Sequence, residues 1–312
     1  MKNKLIAVVG PTASGKTALS IEIAKRVSGE VVSCDSMQVY KGMDIGTAKP
    51  DEDEKCGIFH HMIDIIRPDE PFSVAEFVWR ARECIDDCIA RGKVPVLAGG
   101  TGLYMDSVLN NIDFADFKSD PKFRAEMQAR AEESGNDALH RMLAEKDPEA
   151  AKRIHPNNVR RVIRALEVCH VTGKTFTQVN AESRREPVYD TLILGIDTDR
   201  DLLYEKIDKR VEIMLEKGLV AEVQGLYDSD IGRDTTAMQA IGYKEIFEYL
   251  EGKTGLFEAV EKIKQESRRY AKRQLTWFRR NEEIDWVRLD KRESLEQILE
   301  KCFTFLNKAD II

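Results

Sequence analysis

The sequence has no hydrophobic run long enough to cross a membrane. Its longest apolar runs, LIAVV and VPVL, stop far short of the roughly 20 residues that a spanning helix needs. The apolar part of the start, MKNKLIAVVG, is also too short for a secretory signal and leads directly into a glycine motif. We therefore expect a cytoplasmic protein that has no membrane partner.

Cysteine is scarce as well. The 312 residues contain six cysteines and no CxxC pair, so a disulfide framework is excluded and a reducing compartment is indicated. Cys84 and Cys88 lie one helical turn apart, and His60 and His61 are conceivable partners in a zinc site. Cys88 falls on the apolar stripe of its helix, however, which favours core packing.

Positive charge is in deficit overall, with a net charge of -7, which argues against non-specific binding of nucleic acid. Two segments depart from this average: residues 151–170 carry a net +4 and residues 262–280 a net +7. An acidic body with two basic segments is typical of a protein that binds a polyanion at defined places. Solvated helix faces produce the same pattern, so both interpretations stay open.

Short β-branched runs alternate with helical patterns, which is typical of a parallel α/β sheet. The runs are LIAVV (5–9), EVVSC (30–34), MIDII (62–66), VPVLA (94–98) and LILGI (192–196). Ser73 and Glu76 predict a capping box for the helix before VPVLA, and Gly92 predicts its end.

The strand signal then disappears for almost ninety residues. We predict a helical insertion domain over 111–190, with helices at DPKFRAEM, DALHRML and NVRRVIRALEV, inside a sheet domain formed by 1–110 and 191–312. From residue 200 onward we predict three or four helices, the last over about 256–281, and a final strand over 284–289.

The segment between the first strand and the first helix fits the phosphate-loop pattern G-x-x-x-x-G-K-[ST]. Its residues are Gly10, Pro11, Thr12, Ala13, Ser14, Gly15, Lys16 and Thr17. Backbone N–H groups and a helix N-terminus surround a phosphate in such a loop, the lysine adds a positive charge, and the Thr17 hydroxyl can hold Mg²⁺. The predicted fold class is therefore α/β, with a P-loop-type parallel sheet core flanked by helices and a helical insertion domain.

A carboxylate accompanies this loop at an unusual place. The strand VPVLA, where a Walker-B acid is expected, ends in glycines, whereas Asp35 stands at the end of the second strand. The carboxyl ends of parallel strands open into the same crevice, so Asp35 is a candidate metal ligand or base. An Asp at a strand end is otherwise a turn or a helix cap.

Longer motifs surround these residues. They are DSMQVYKGMDIGTAKP (35–50), HHMIDI (60–65), GGTGLY (99–104), RIHPNNVRRVIRALEV (153–168), AIGYKE (240–245) and KRQLTWFR (272–279). Together they resemble the tRNA dimethylallyltransferases, also called tRNA isopentenyltransferases, over about residues 10–280. The chain lacks the paired Cys and His of the eukaryotic zinc-finger extension and so resembles the bacterial form, with Phe59 where Pro is more usual.

The resemblance implies transfer of a dimethylallyl group from dimethylallyl diphosphate to N6 of the adenosine on the 3′ side of the tRNA anticodon, with Mg²⁺ as cofactor. It implies that Asp35 accepts the N6 proton, that Thr101 orients the adenine and that Arg210 binds the diphosphate. Thr101 is equally typical of a local turn. Arg210 lies on the apolar stripe of Leu203, Ile207 and Met214, where a structural ion pair is the alternative.

Contacts with the tRNA anticodon stem-loop are predicted from the motifs and the basic segments. They are Asp35, Ser36, Met37, Gln38, Thr101, Arg160, Arg161, Val162, Ile163, Arg164, Ala240, Ile241, Gly242, Tyr243, Lys244, Glu245, Lys272, Arg273, Gln274, Trp277 and Arg279. Cations would hold the RNA backbone and aromatic rings would stack on exposed bases, although Trp277 and Phe278 are more typical of core residues.

Two other functions stay open at this stage. A P-loop kinase of small molecules or nucleotides would use Asp35 to hold Mg²⁺ and the insertion as a lid. An RNA-binding, regulatory NTPase would use the loop only to switch conformation. The kinase alternative does not explain the two basic segments. We expect the protein to be a monomer.

Overall fold

The computed structural model describes residues 2–114, 119–229, 231–290, 293 and 295–311. Its contacts divide the chain into two compact units, Met1–Leu109 with Val188–Ile312 and Asn110–Pro187. The predicted insertion segment includes residues 115–118, which lie outside the described residues. None of the described helices combines the length and the apolar character that a membrane crossing requires.

The first unit begins with alternating strands and helices: β1 (Asn3–Val9), α1 (Lys16–Arg26), β2 (Glu30–Cys34), α2 (Glu52–Lys55), β3 (His60–His61), α3 (Val74–Ala90), β4 (Pro95–Gly99) and α4 (Gly102–Leu109). The second unit is helical: α5 (Pro121–Ser134), α6 (Asn136–Lys146), α7 (Pro148–Arg153), α8 (Val159–Thr172) and α9 (Phe176–Glu182). The first unit resumes with β5 (Tyr189–Thr198), α10 (Arg200–Glu216), α11 (Leu219–Tyr227), α12 (Tyr243–Leu250), α13 (Leu256–Phe278), β6 (Ile284–Leu289) and α14 (Leu295–Lys308). A short 3-10 turn, Ala237–Gln239, precedes α12.

All six strands of the first unit form one parallel sheet in the order β3-β2-β4-β1-β5-β6. The five residues from Leu5 to Val9 in the central strand β1 are completely buried, as expected for a parallel sheet covered on both faces. Gly99 at the end of β4 pairs with both Val9 of β1 and Cys34 of β2. The loops that follow these three strands therefore start side by side, at one edge of the sheet.

Five of the six predicted strands are confirmed, and MIDII (62–66) is wrong. The short third strand is His60–His61, and Ile66 forms only an isolated bridge with Tyr40. Met62 and Asp64 have positive φ angles of 65° and 55°, which interrupt an extended chain.

The sequence signals for the start and the end of helix α3 are confirmed more fully than the signal for the third strand. Ser73 caps α3 by accepting a hydrogen bond from the Glu76 N–H at 3.2 Å, and Gly92 follows the helix with a φ of 72°. The Glu76 carboxylate instead binds Arg80, so only half of the predicted capping box forms. The helix α14 was not predicted.

The second unit has its own apolar core, which includes Leu139, Leu143 and Leu166. Its helices α5, α6 and α8 confirm the three predicted ones. Glu167 of α8 is buried, and its carboxylate accepts hydrogen bonds from Arg124, Arg164 and the Asp120 N–H. These donors offset the cost of removing a carboxylate from water.

Candidate active site

The phosphate loop joins β1 to α1 and leaves the start of that helix open. Gly15 precedes the helix with a φ of 90°, in the left-handed region that favours glycine. Among the described residues no side chain caps α1, so its first N–H groups are available to an anion. The predicted loop, residues 10–17, therefore has the local geometry of a phosphate site.

Lys16 and Arg210 bring two positive charges to this loop. Lys16 donates a hydrogen bond to the Pro11 carbonyl at 2.6 Å, and neither cation forms an ion pair with any described side chain. Burial and the nearby Arg210 lower the pKa of Lys16 to about 7, against a smaller opposite effect of Asp35. Burial also lowers the pKa of Arg210. An anion bound here would relieve both effects.

Asp35 lies directly after β2 and lines the same cavity as Lys16, Thr17 and Arg210. Its Oδ1 accepts hydrogen bonds from the N–H groups of Met37 at 2.8 Å and Gln38 at 3.3 Å. These bonds orient the carboxylate. The structure thus brings Asp35 together with the phosphate loop, as the order of the strands predicts.

Thr101, in the loop after β4, is adjacent to Asp35 in space. Its hydroxyl oxygen accepts a hydrogen bond from the Ser36 N–H at 3.1 Å, and the side chain of Tyr270 lies nearby. Burial raises the pKa of Tyr270 to about 12, so its phenol remains protonated. Tyr270 lines the cavity and was missed by the sequence analysis, since nothing in the helical pattern distinguishes it from a core aromatic.

Gln274 of α13 connects the two loops. Its side-chain carbonyl accepts from the Thr12 N–H at 2.8 Å, and its amide donates to the Gly100 carbonyl at 2.9 Å. The side chain is buried. Its placement assigns Gln274 to the phosphate site, although we predicted it as a tRNA contact.

Two cavities open at this edge of the sheet. The smaller, about 90 Å³, contains the phosphate-loop side chains, and the larger, about 330 Å³, has mainly apolar walls. The apolar walls of the larger cavity come from Met37, Ile207, Val211, Met214, Ala240, Ile241 and Ile263. Both cavities share Thr12, Asp35, Thr47, Arg210 and Tyr270, so a ligand can place its phosphates in one and an apolar group in the other.

The residues of the insertion that we predicted as tRNA contacts have three different environments: exposed, ion-paired and buried in the core. Arg160 and Arg161 are exposed and form no ion pair within the described part of the chain, whereas Arg164 is paired with Glu167 at 2.6 Å. Val162 and Ile163 belong to the apolar core of the unit. Their burial leaves no surface for RNA, and we correct their role to packing.

Most of the predicted contacts at 240–245 are buried or line a cavity, whereas Lys244 is partly exposed. Ala240, Ile241 and Gly242 line the larger cavity. Tyr243 and Glu245 are completely buried, which corrects their prediction as direct tRNA contacts, and Lys244 lies 3.4 Å from the Glu245 carboxylate.

The basic segment on α13 is neutralised in part. Arg268 binds Asp208 through two short contacts, and Arg279 pairs with Asp197 at 3.2 Å. Three cations remain unpaired among the described residues and line a surface groove together with Arg269, Thr276 and Trp277; they are Lys272, Arg273 and Arg280. We call this surface the α13 groove. Trp277 is fixed at its floor, because its indole N–H donates to Asp106 at 2.7 Å.

The potential metal ligands that lie together are not the set suggested by the sequence, Cys84, Cys88, His60 and His61. Within the described residues, potential ligands cluster at Glu30, His61 and Cys88. Arg91 already binds both carboxylate oxygens of Glu30 at 2.6 Å, and burial raises the pKa of the Cys88 thiol to about 12. Glu30 is neutralised by an arginine and the thiol stays protonated, so the cluster is a hydrogen-bonded part of the core.

The fold and the site together define a class. This is an α/β protein of the P-loop type, in which a phosphate-loop motif, a carboxylate and an apolar chamber adjoin one another.

Comparison with known proteins identifies the family. The model of the IPP transferase family matches residues 38–281, and that of the isopentenyl transferase family matches residues 3–64. A protein of Acetivibrio thermocellus named tRNA dimethylallyltransferase is 50% identical over 305 residues, which are 97% of each chain. The chain therefore belongs to the IPP transferase family, with tRNA dimethylallyltransferases as its relatives.

Solved structures agree. The full-length tRNA isopentenylpyrophosphate transferase of Bacillus halodurans is 45% identical, with a TM-score of 0.73 over 99% of this chain and 98% of that one. A eukaryotic dimethylallyltransferase described as acting on tRNA is 30% identical, with a TM-score of 0.85 over 99% of this chain and 79% of that one. The predicted fold class and family are confirmed.

Proposed function

We propose that this protein transfers the dimethylallyl group of dimethylallyl diphosphate to N6 of the adenosine on the 3′ side of the tRNA anticodon, releasing diphosphate. The observation that carries the proposal is the junction of the two cavities. Lys16 and Arg210 lie at the phosphate end, Asp35 at the junction, and apolar side chains beyond it. The relatives' names support prenyl transfer to tRNA and do not favour the kinase alternative.

The leaving group is stabilised by the phosphate loop. As the allylic C–O bond breaks, its electron pair moves to the diphosphate, whose negative charge grows. The N–H groups at the start of α1, together with Lys16 and Arg210, stabilise that charge more in the transition state than in the bound substrate. In this way a phosphate loop serves a diphosphate leaving group in place of ATP.

Asp35 acts on the nucleophile. The N6 lone pair is delocalised into the purine, so the amine is a weak nucleophile, and its proton becomes acidic only as the nitrogen attacks. As the N6–C bond forms, the Asp35 carboxylate accepts that proton, while the hydrogen bonds from Met37 and Gln38 hold it in place. Thr101, next to it, would orient the adenine through its remaining hydrogen-bonding capacity.

Mg²⁺ is part of the proposal. The Thr17 hydroxyl lines the phosphate cavity, and this hard oxygen donor suits Mg²⁺. Thr17 is the residue that would hold the ion, which neutralises diphosphate charge when it is bound.

The proposed tRNA substrate would be bound through its anticodon loop and its backbone. Since the anticodon loop is single-stranded, its adenine can be unstacked into the cavity at modest cost. The α13 groove and the exposed arginines of the insertion would hold the RNA backbone.

We also propose that the enzyme works in the cytoplasm, where tRNA is processed, and as a monomer, which light scattering of the purified protein tests.

One incubation tests the function. Unmodified tRNA, Mg²⁺ and dimethylallyl diphosphate are mixed with the protein, and the digested nucleosides are weighed by mass spectrometry. We expect one adenosine to gain a single dimethylallyl group, and the Asp35→Asn variant to lose this product. No gain in mass, together with phosphate transfer from ATP to a small molecule, would overturn the proposal in favour of the kinase.

A further inference from the structure

Glu222 of α11 is bonded to the loop of residues 35–50, which begins with Asp35. Its Oε2 accepts hydrogen bonds from the N–H groups of Asp44 at 2.8 Å and Ile45 at 2.7 Å. Its Oε1 accepts from the Gly46 N–H at 3.0 Å. A single carboxylate thus holds three consecutive backbone N–H groups, which gives this turn of the loop one defined position.

Tyr243 reinforces the same contact. Its phenol O–H donates to Glu222 Oε1 at 2.5 Å, and its side chain is completely buried. The ring packs directly against Gly46, where an added Cβ would lie 2.4 Å from a ring carbon. Glu222 and Tyr243 therefore fix the loop from two helices, α11 and α12.

The bonded turn is adjacent to the substrate cavities. Gly46 lines the larger cavity, and Thr47 lines both. The Gln38 amide donates to the carbonyls of Thr47 at 3.3 Å and Ala48 at 3.2 Å. The Gln38 N–H in turn donates to Asp35 Oδ1 at 3.3 Å, so hydrogen bonds connect the bonded turn to the carboxylate at the start of the loop.

We propose that Glu222 and Tyr243 are positioning residues, which hold the loop of residues 35–50 in the conformation that aims Asp35 at the substrate. Neither lines the phosphate cavity or the larger apolar cavity, so both act through the loop. A carboxylate suits this task because both of its oxygens accept hydrogen bonds here, whereas a glutamine would direct an N–H₂ group at an N–H or O–H donor. The inference rests on the proposed function for its kinetic part.

Three variants test the kinetic part. In Glu222→Gln we expect kcat to fall by about 10- to 100-fold, because small displacements of reacting groups have large effects on rate. The KM for tRNA should stay within about threefold, since the RNA surfaces are untouched. Tyr243→Phe keeps the ring against Gly46 and loses only the O–H, so it should show a smaller fall of the same kind. Glu216→Gln, an exposed change at the end of α10, is the matched control and should equal the wild type.

Hydrogen exchange provides a readout that does not depend on transferase activity. In Glu222→Gln the amides at 44–46 should exchange at least about fivefold faster, because their charge-assisted bonds are lost, while β1 keeps its protection. Unchanged exchange at 44–46, or a wild-type kcat in a variant with fast exchange, would overturn the proposal. If Glu222→Gln unfolds the whole unit, the Tyr243→Phe variant is the deciding test. A wild-type kcat together with wild-type protection of the amides at 44–46 in Tyr243→Phe would also overturn the proposal. A wild type that transfers no prenyl group would refute the proposed function and leave the exchange result standing.

Discussion

The side-chain carbonyl of Gln274 accepts a hydrogen bond from the backbone N–H of Thr12 at 2.8 Å, across 262 residues of sequence. The same side chain donates to Gly100, so the helix that carries the α13 groove also supports the phosphate loop. Substitutions on this one helix should therefore separate diphosphate use from tRNA affinity.

Replacing Gln274 with Met keeps the length of the side chain but leaves the Thr12 N–H and the Gly100 carbonyl without their partner. We expect kcat/KM for dimethylallyl diphosphate to fall by about tenfold or more, because unsatisfied buried groups displace the loop. The dissociation constant for tRNA should stay within about twofold of wild type. Lys272→Met on the same helix is the control and should show the reverse. An equal loss of tRNA affinity in Gln274→Met would support our original prediction of a direct RNA contact.

Lys16 should take up a proton when the diphosphate binds. Its pKa of about 7 means that it is charged below this pH and largely neutral above it. The bound anion favours the charged form, so binding at pH 8 should transfer close to one proton from the buffer to Lys16, and binding at pH 6 none to this group. Calorimetry in buffers of different ionisation enthalpy measures the transfer. Lys16→Met should abolish it, and an unchanged uptake in that variant would contradict the assignment.

Asp35→Asn keeps the shape of the side chain and removes its basicity. If the carboxylate accepts the N6 proton, the single-turnover rate should fall by about 10² to 10⁴ with little change in substrate affinity. A metal ligand would behave differently, because excess Mg²⁺ partly restores a weakened metal site. The rate of the variant is therefore measured across a Mg²⁺ titration, and recovery toward the wild-type rate would make Asp35 a metal ligand.

The α13 groove predicts which cations of the helix contact phosphates. Replacing Lys272, Arg273 and Arg280 with Ala should weaken tRNA binding and lower the slope of its log–log salt dependence by about 0.7 to 0.9 for each phosphate contact removed. Arg268→Ala breaks the ion pair with Asp208 and is the control, for which we expect an unchanged slope. A slope that responds equally to both changes would show that the groove has no special role.

In the insertion, Arg160 and Arg161 should contribute more to tRNA binding than Arg164. The first two are exposed and without an ion pair in the described residues, while the charge of Arg164 is compensated by Glu167. We expect Arg160→Ala with Arg161→Ala to lower the salt slope and Arg164→Ala to reduce thermal stability instead, because it removes a partner of a buried carboxylate. Filter binding and thermal melting measure the two effects, and identical results for both variants would refute the distinction.

The features that depend on neighbours along the chain could be predicted from the sequence. The phosphate loop requires glycine and lysine at set spacings between a strand and a helix, and the structure places Gly15 at a φ of 90° directly before α1. The strands β1, β2, β4 and β5 were readable from β-branched runs, because most of their side chains are buried in a parallel sheet. Asp35 could be placed near the phosphate loop because parallel strands end at one edge.

The partners of several polar and charged side chains could not be predicted in this way, because they come from distant segments of the folded chain. Gln274, Tyr243 and Arg268 all belong to motifs or basic segments that predict an RNA surface, yet each is bonded to a distant part of its own unit. The bond from the Asp44 N–H to Glu222 spans 178 residues, and no local pattern indicates it. The physical reason is that backbone preference and hydrophobic periodicity act over a few residues, whereas a hydrogen-bond partner is selected by packing, which brings distant segments together only in the folded chain.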